Sequence, residues 1–180
     1  DVGATFSAND EGETTGTVQG EKRFDINANT DARVYGEANL DGTWKAGADA
    51  THFTENGHAV SQGIEIDDKG NADGFVSHAF ENNHETVGLH LTPEGDESLS
   101  YVGHHEGENW KTDESFTVDK DGNVDGQVSG SYEEVVSETR ARVYDGTIRS
   151  DGSWEAGVNQ ADALADNVIR NNELRYAPNG

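Results

Sequence analysis

Apolar and polar residues alternate along most of this chain, and short clusters rich in Gly, Asp and Asn break the alternation at regular intervals. The stretches "FTV" at 116–118, "VDGQVSGSY" at 124–132 and "TVGLHL" at 86–91 carry apolar residues at alternating positions, the period of a β-strand with one face turned inward. The interruptions hold the residues that close hairpins, Asp-Gly and Asn-Gly among them. They fall near 10–13, 40–42, 55–57, 68–71, 81–83, 93–96, 106–108, 119–122, 134–135 and 149–152. Strands joined in order by short turns make an antiparallel meander, here of about twelve strands. Only two prolines occur, which suits long uninterrupted ladders. One segment departs from the period of two. In "NQADALADNVIRNN", 159–172, Leu164 and Val168 stand four apart behind Asn159, a residue suited to an N-cap, and the spacing predicts a short helix before "ELRYA".

The pattern is also repeated. "ARVYGEANLDGTWKAG" at 32–47 returns at 141–157 as "ARVYDGTIRSDGSWEAG", with one extra residue inside. Upstream, "FSANDEGETTGTVQG" at 6–20 aligns with "FTVDKDGNVDGQVSG" at 116–130, and "IEIDDKGNADGFVSH" at 64–78 supplies a third, more divergent copy. The reading is a single all-β domain over 1–180, built from repeat units at approximately 4–58, 59–112 and 113–160, with a helical tail at 161–180. Closing or doubling the sheet hides its edges, so the expected architecture is a closed barrel or a sandwich. Alternation puts Val34, Leu91 and Val143 on the core face, and Arg33, His90 and Arg142 on the other. Trp44 and Trp154 each follow a turn that Tyr35 and Tyr144 precede, which predicts a Tyr–Trp cross-strand pair at each hairpin.

Charge narrows the setting. With 36 acidic against 12 basic residues the formal net charge is −24, which disfavours nucleic acid as a partner. Fourteen aromatic residues, 3 Trp, 5 Tyr and 6 Phe, set between turn signals argue for a folded chain over a disordered acidic one. The lack of cysteine excludes disulfides, thiol nucleophiles and thiolate metal sites. No apolar run reaches the length of a membrane helix, and the strands lack the outward apolar band of an outer-membrane barrel; a chain not embedded in a membrane is expected. Catalytic signatures such as G-x-S-x-G, H-E-x-x-H and phosphate-binding glycine loops are missing, which points away from an enzyme.

Two groups of residues carry candidate chemistry. All seven histidines fall between 52 and 105, and a zinc, copper or haem site would draw on His78, His90, His104 and His105, since imidazole is the commonest metal ligand. A two-residue turn at Asn56-Gly57 would place His52 and His58 on opposite faces. The loop "DKDGNVDG" sets Asp119, Asp121, Asn123 and Asp125 at alternate positions, as a calcium loop begins, although Val124 and Gly130 stand where an EF-hand needs glycine and glutamate. The same residues suit a plain hairpin turn.

These features lead to an acidic β-repeat protein, secreted or at the cell surface, non-catalytic, and working by adhesion, matrix assembly or self-association, its partner a second copy, another extracellular protein or a glycan. An extracellular carrier barrel for haem, a metal ion or an apolar molecule is the alternative. A protein adapted to high salt is the third reading.

Overall fold

The computed structural model describes residues 1–8, 14–165 and 168–178. They form thirteen strands: β1 (Val2–Ala8), β2 (Thr14–Asn27), β3 (Thr30–Asn39), β4 (Trp44–Phe53), β5 (Ala59–Asp67), β6 (Ala72–Phe80), β7 (Asn83–Leu91), β8 (Glu97–Glu106), β9 (Trp110–Asp119), β10 (Val124–Ser137), β11 (Arg140–Arg149), β12 (Trp154–Ala165) and β13 (Val168–Tyr176). Their hydrogen-bonded order is the chain order from β1 to β13 in one sheet. The expected antiparallel meander is therefore present. The expected barrel is not, because β1 and β13 end the order and do not pair with each other. All the strands belong to one sheet, not to the two of a sandwich.

The C-terminal helix is also absent. Strand β13 occupies its place and pairs with β12 through Val158↔Leu174 and Gln160↔Asn172, while Asn159, the expected N-cap, sits in mid-strand between Val143 and Glu173. The four-residue spacing of Leu164 and Val168 spans the end of one strand and the start of the next. A short helix with no packing partner is marginal in water, whereas β13 satisfies the backbone of an otherwise open strand. Among the described residues no helix is long and apolar enough to cross a membrane.

One loop design recurs in six connections. In each, the first residue (Asn39, Thr54, Asp67, Thr92, Asp119 or Arg149) receives a backbone bond from the glycine three positions on and donates to the carbonyl four positions on, with distances of 2.8–3.1 Å. The glycines involved, from Gly42 to Gly152, have φ of +81° to +91°. This is a three-residue hairpin loop closed by a left-handed glycine. The expected two-residue turn at Asn56-Gly57 is in fact such a loop, spanning Glu55–Gly57. That one-residue difference pairs His52 with Val60 and puts His52 and His58 on the same face, not on opposite ones. The turns at Ala28–Asn29 and Glu138–Thr139 lack Gly and Pro. The latter replaces the turn expected near 134–135, and each follows a bulge in the preceding strand.

By contact the chain divides into two compact units, residues 1–81 with 86–99 and residues 82–85 with 100–180. In the first, the register stacks Lys22, Val34, Ala48, Ile64 and Gly74 in one row and Phe24, Ala32, Ala50, Gln62 and Val76 in the next, all on one face. The opposite face carries Glu21, Arg33, Asp49, Glu65 and Asp73. Arg33 bonds the Asp49 carboxylate directly across the ladder, Nε to Oδ2 at 2.9 Å.

In the second unit the row Trp110, Tyr132, Tyr144, Val158 and Leu174 shares a face with Gly130, Gly146, Ala156 and Tyr176. Here the extra residue of the repeat has a visible effect. The loops at Asp41-Gly42 and Asp151-Gly152 are equivalent, and Trp44 and Trp154 pair alike with Ala38 and Ile148. Upstream of the insertion the parity is reversed. Tyr144, not Val143, lies with the aromatic row; Val143 faces Glu133 and Asn159, and Arg142 lies opposite Glu134 and Gln160. The expected placement of Val143 with the core and of Arg142 away from it is thus inverted. The Tyr–Trp hairpin pairs do not form either. Tyr35 sits across from Gly47 and Tyr144 across from Val158, while Trp154 meets the Tyr176 ring at 5.4 Å.

No apolar side chain is buried among the described residues. Ile64 and Val76 are 54% exposed, Ile148 66% and Leu174 70%. The accessible surface is 12661 Å², against ~8,500 Å² for one compact chain of this mass or ~10,200 Å² for two independent halves. With no core, the ladder itself holds the fold, and close backbone approach matters. A Cβ at Gly126 would fall against the Ser115 carbonyl and come within 2.8 Å of the Phe116 Cα, whereas one at Gly20 meets nothing nearer than 3.8 Å. Gly126→Ala is expected to cost about 1–3 kcal/mol and to lower the thermal midpoint, with Gly20→Ala close to neutral; paired melts followed by circular dichroism check both.

Candidate functional site

Strand parity distributes the histidines. His78 lies on the apolar face of the first unit, where its Nε2 is 2.8 Å from Nδ1 of His58. The two ring centroids are 5.1 Å apart and the planes 14° from parallel. That separation is about the N···N distance plus two ring radii, so the rings meet edge to edge through an N–H···N bond and do not stack. Phe80 does stack on His58, at 4.1 Å. His90 faces the other way, with Nδ1 2.6 Å from the Asp73 carboxylate.

In the second unit His104 and His105 are neighbours on β8 and point to opposite faces. His104 Nδ1 lies 2.6 Å from Asp113, and its ring is 5.3 Å from that of His84. His105 Nε2 lies 3.6 Å from Glu85 and 3.8 Å from Glu114. Each of the four nominated imidazoles thus has its own partner. Among the described residues no three His, Asp or Glu side chains are gathered around a point that would hold an ion. The His58–His78 contact went unforeseen because it depends on the length of the 55–57 loop.

In the acidic loop Asp119 is likewise engaged within the protein. Asp119 Oδ1 accepts from the amides of Asp121 and Asn123 at 2.9 and 2.8 Å, and Oδ2 from the Asn123 side-chain amide at 2.7 Å. The carboxylate closes an Asx-type turn. Asp67 is bonded in the same way to Lys69 and Asn71. Asp125 meets the Ser150 hydroxyl at 3.3 Å instead of joining Asp119. These donors favour the charged form, so Asp119 is held below its ordinary pKa, first by the Asn123 side chain, and Asp41 and Asp151 by Thr43 and Ser153.

The one buried charged side chain among the described residues is Asp162, 4% exposed. It accepts from Arg170 at 2.8 Å, from Arg140 at 2.5 Å and from Gln160 at 3.1 Å, which holds its carboxyl far below the usual range.

One open concavity is apolar. On the first unit a trough of about 690 Å³ has Ala32, Ala48, Ala50 and Gly74 as its floor, with Val34, Ile64 and Val76 beside them and Gln62 as a polar side chain. The alternating alanines of "WKAGADAT" make this hollow. The second unit has a counterpart of about 570 Å³ around Gly130, Gly146, Ala156, Ile148 and Trp154. Each is an open apolar surface of the size that ligands or partners occupy.

Depressed carboxylate pKa values contribute stability that is complete above the unfolded value of about 3.9 and is lost as pH falls through the folded one. The melting temperature is therefore expected to hold from pH 7 to about pH 5 and to drop below about pH 4. Asp162→Asn should be less stable than the parent at pH 7, with the gap closing near pH 2; melts across that range measure it. No family model matches the chain, and neither a curated protein nor a solved structure matches it.

Proposed function

We propose that this chain is a non-catalytic binding or assembly protein whose working surface is the apolar face of its sheet. The observation that supports the reading is the uncovered apolar surface: Trp44, Ile64, Val76, Ile148 and Leu174 all stay at least 40% exposed. The first three lie on the first unit and the last two on the second, and a soluble monomer seldom leaves such apolar surface on a unit without a partner for it. In the first unit the polar face and the loops carry the acidic side chains and keep the chain hydrated. The setting we propose is extracellular or cell-surface, where salt screens that charge and abundant calcium can meet the loop carboxylates that remain in solvent.

A second reading, carriage of an apolar molecule, has the 690 Å³ trough in its favour, since ligand pockets of this size are lined mainly by apolar side chains. The haem and metal versions of the carrier have less support, because His78, His90, His104 and His105 are each engaged separately.

A fluorescent apolar dye added to dilute folded protein tests the surface. The expected result is strong emission that falls several-fold in Ile64→Glu and persists in Ser61→Glu, on the opposite face of the same strand. A folded monomer that leaves the dye dark has its apolar face covered by its own chain and overturns the reading.

A further inference from the structure

We infer that the occupant of the first unit's apolar face is the same face of a second copy, so that two chains pack sheet on sheet as a dimer. This rests on the reading above and names its partner. Area is the first argument. Six strands spaced about 4.8 Å apart, with some eight paired positions each at about 3.4 Å, give β1–β6 one face of roughly 800 Å². That exceeds the roughly 300–600 Å² of the largest patch on a typical monomer. Two such faces in contact remove about 1,600 Å², the size of a standard specific interface.

Charge is the second argument. Copies of a chain at −24 repel unless their carboxylates stay out of the contact, and the register does keep them out. Glu21, Asp25, Asp31, Asp49, Glu65 and Asp73 all lie on the polar face. Among the described residues of β1–β6 the apolar face has one charged side chain, Lys22, whose ammonium rests 5.2 Å from the centre of the Phe24 ring. A cationic partner would seek the other face. The apolar face selects a surface that is extended, uncharged and equally wide, and its own copy is such a surface.

Relief is the third. Ala48, Ala50 and Gly74 form a hollow beside the ridge of Ile64 and Val76. A two-fold axis sets the ridge of each copy against the hollow of the other, with the sheets about 10 Å apart.

Sedimentation velocity on the full chain, from low to high micromolar concentration, tests this. The expected mass doubles with concentration, and Ile64→Glu and Ala48→Glu each weaken the dissociation constant at least 100-fold, while Ser61→Glu leaves it unchanged. Because the chain has no cysteine, single substitutions supply a second readout if the charged variants fail to fold. Val76→Cys is expected to be joined to a second chain by a short bis-maleimide, which spans the gap between packed sheets, and Ser77→Cys, on the polar face, is not. A dimer that survives both charged substitutions, or cross-links through Ser77→Cys alone, overturns the inference. So does a monomer at every concentration, and thiol labelling then separates the two ideas: a reactive Val76→Cys leaves the face open and sinks only the dimer, whereas a protected one sinks the binding reading as well.

Discussion

What holds this protein together is the backbone ladder. In most domains the burial of apolar side chains, at roughly 1.5–3 kcal/mol for each large one, outweighs the entropy of ordering the chain. Here no apolar side chain among the described residues is buried. The remaining terms are inter-strand hydrogen bonds, about 0.5–1.5 kcal/mol each, and cross-strand side-chain pairs, about 0.2–1 kcal/mol each. Ordering a single residue's backbone costs about 1–2 kcal/mol. Ladder bonds alone therefore leave the sheet close to balance, and covering the apolar face is a thermodynamic need as well as a functional opportunity. The thirteen-strand order, the six near-identical loops and the flush glycines are the means by which the ladder is kept unbroken.

The acidic residues divide into two kinds. Asp41, Asp67, Asp119 and Asp151 have structural work, closing loops by accepting amide protons in places where the chain must reverse. Asp162 joins Arg140 and Arg170 on neighbouring strands, and so ties β11, β12 and β13 together where apolar contacts are few. Others, such as Glu21 and Glu65, line the polar face. In the motif that resembles the opening of a calcium loop, the Asp119 carboxylate is spent on the protein's own amides.

Much of the fold is legible in the sequence because its signals are local. Alternation marks the strands, and the left-handed glycines at 42, 57, 70, 95, 122 and 152 mark six connections. The turns at Ala28–Asn29 and Glu138–Thr139 escape notice because bulges, not glycines, reverse the chain there. The C-terminal helix is a misreading of Leu164 and Val168, whose spacing is helical but which stand at the end of β12 and the start of β13. Barrel closure is a long-range property to which no local pattern testifies. The candidate site suffers from parity: a shift of one residue in loop length moves a histidine to the other face, so His58 and His78 meet while His78 and His90 do not.

The extra residue in the second copy of the repeat has a wider consequence. In a strand, side-chain direction depends on position counted from the loop, so a single inserted codon turns the whole upstream segment over without altering any amino acid in it. Ala-Arg-Val-Tyr offers Ala32 and Val34 to the apolar side in one place and Arg142 and Tyr144 in the other. For a sheet with no core to disrupt, such an insertion is tolerated where a globular domain would unfold, and a gene that duplicates this unit can diversify its surfaces by indels faster than by substitution.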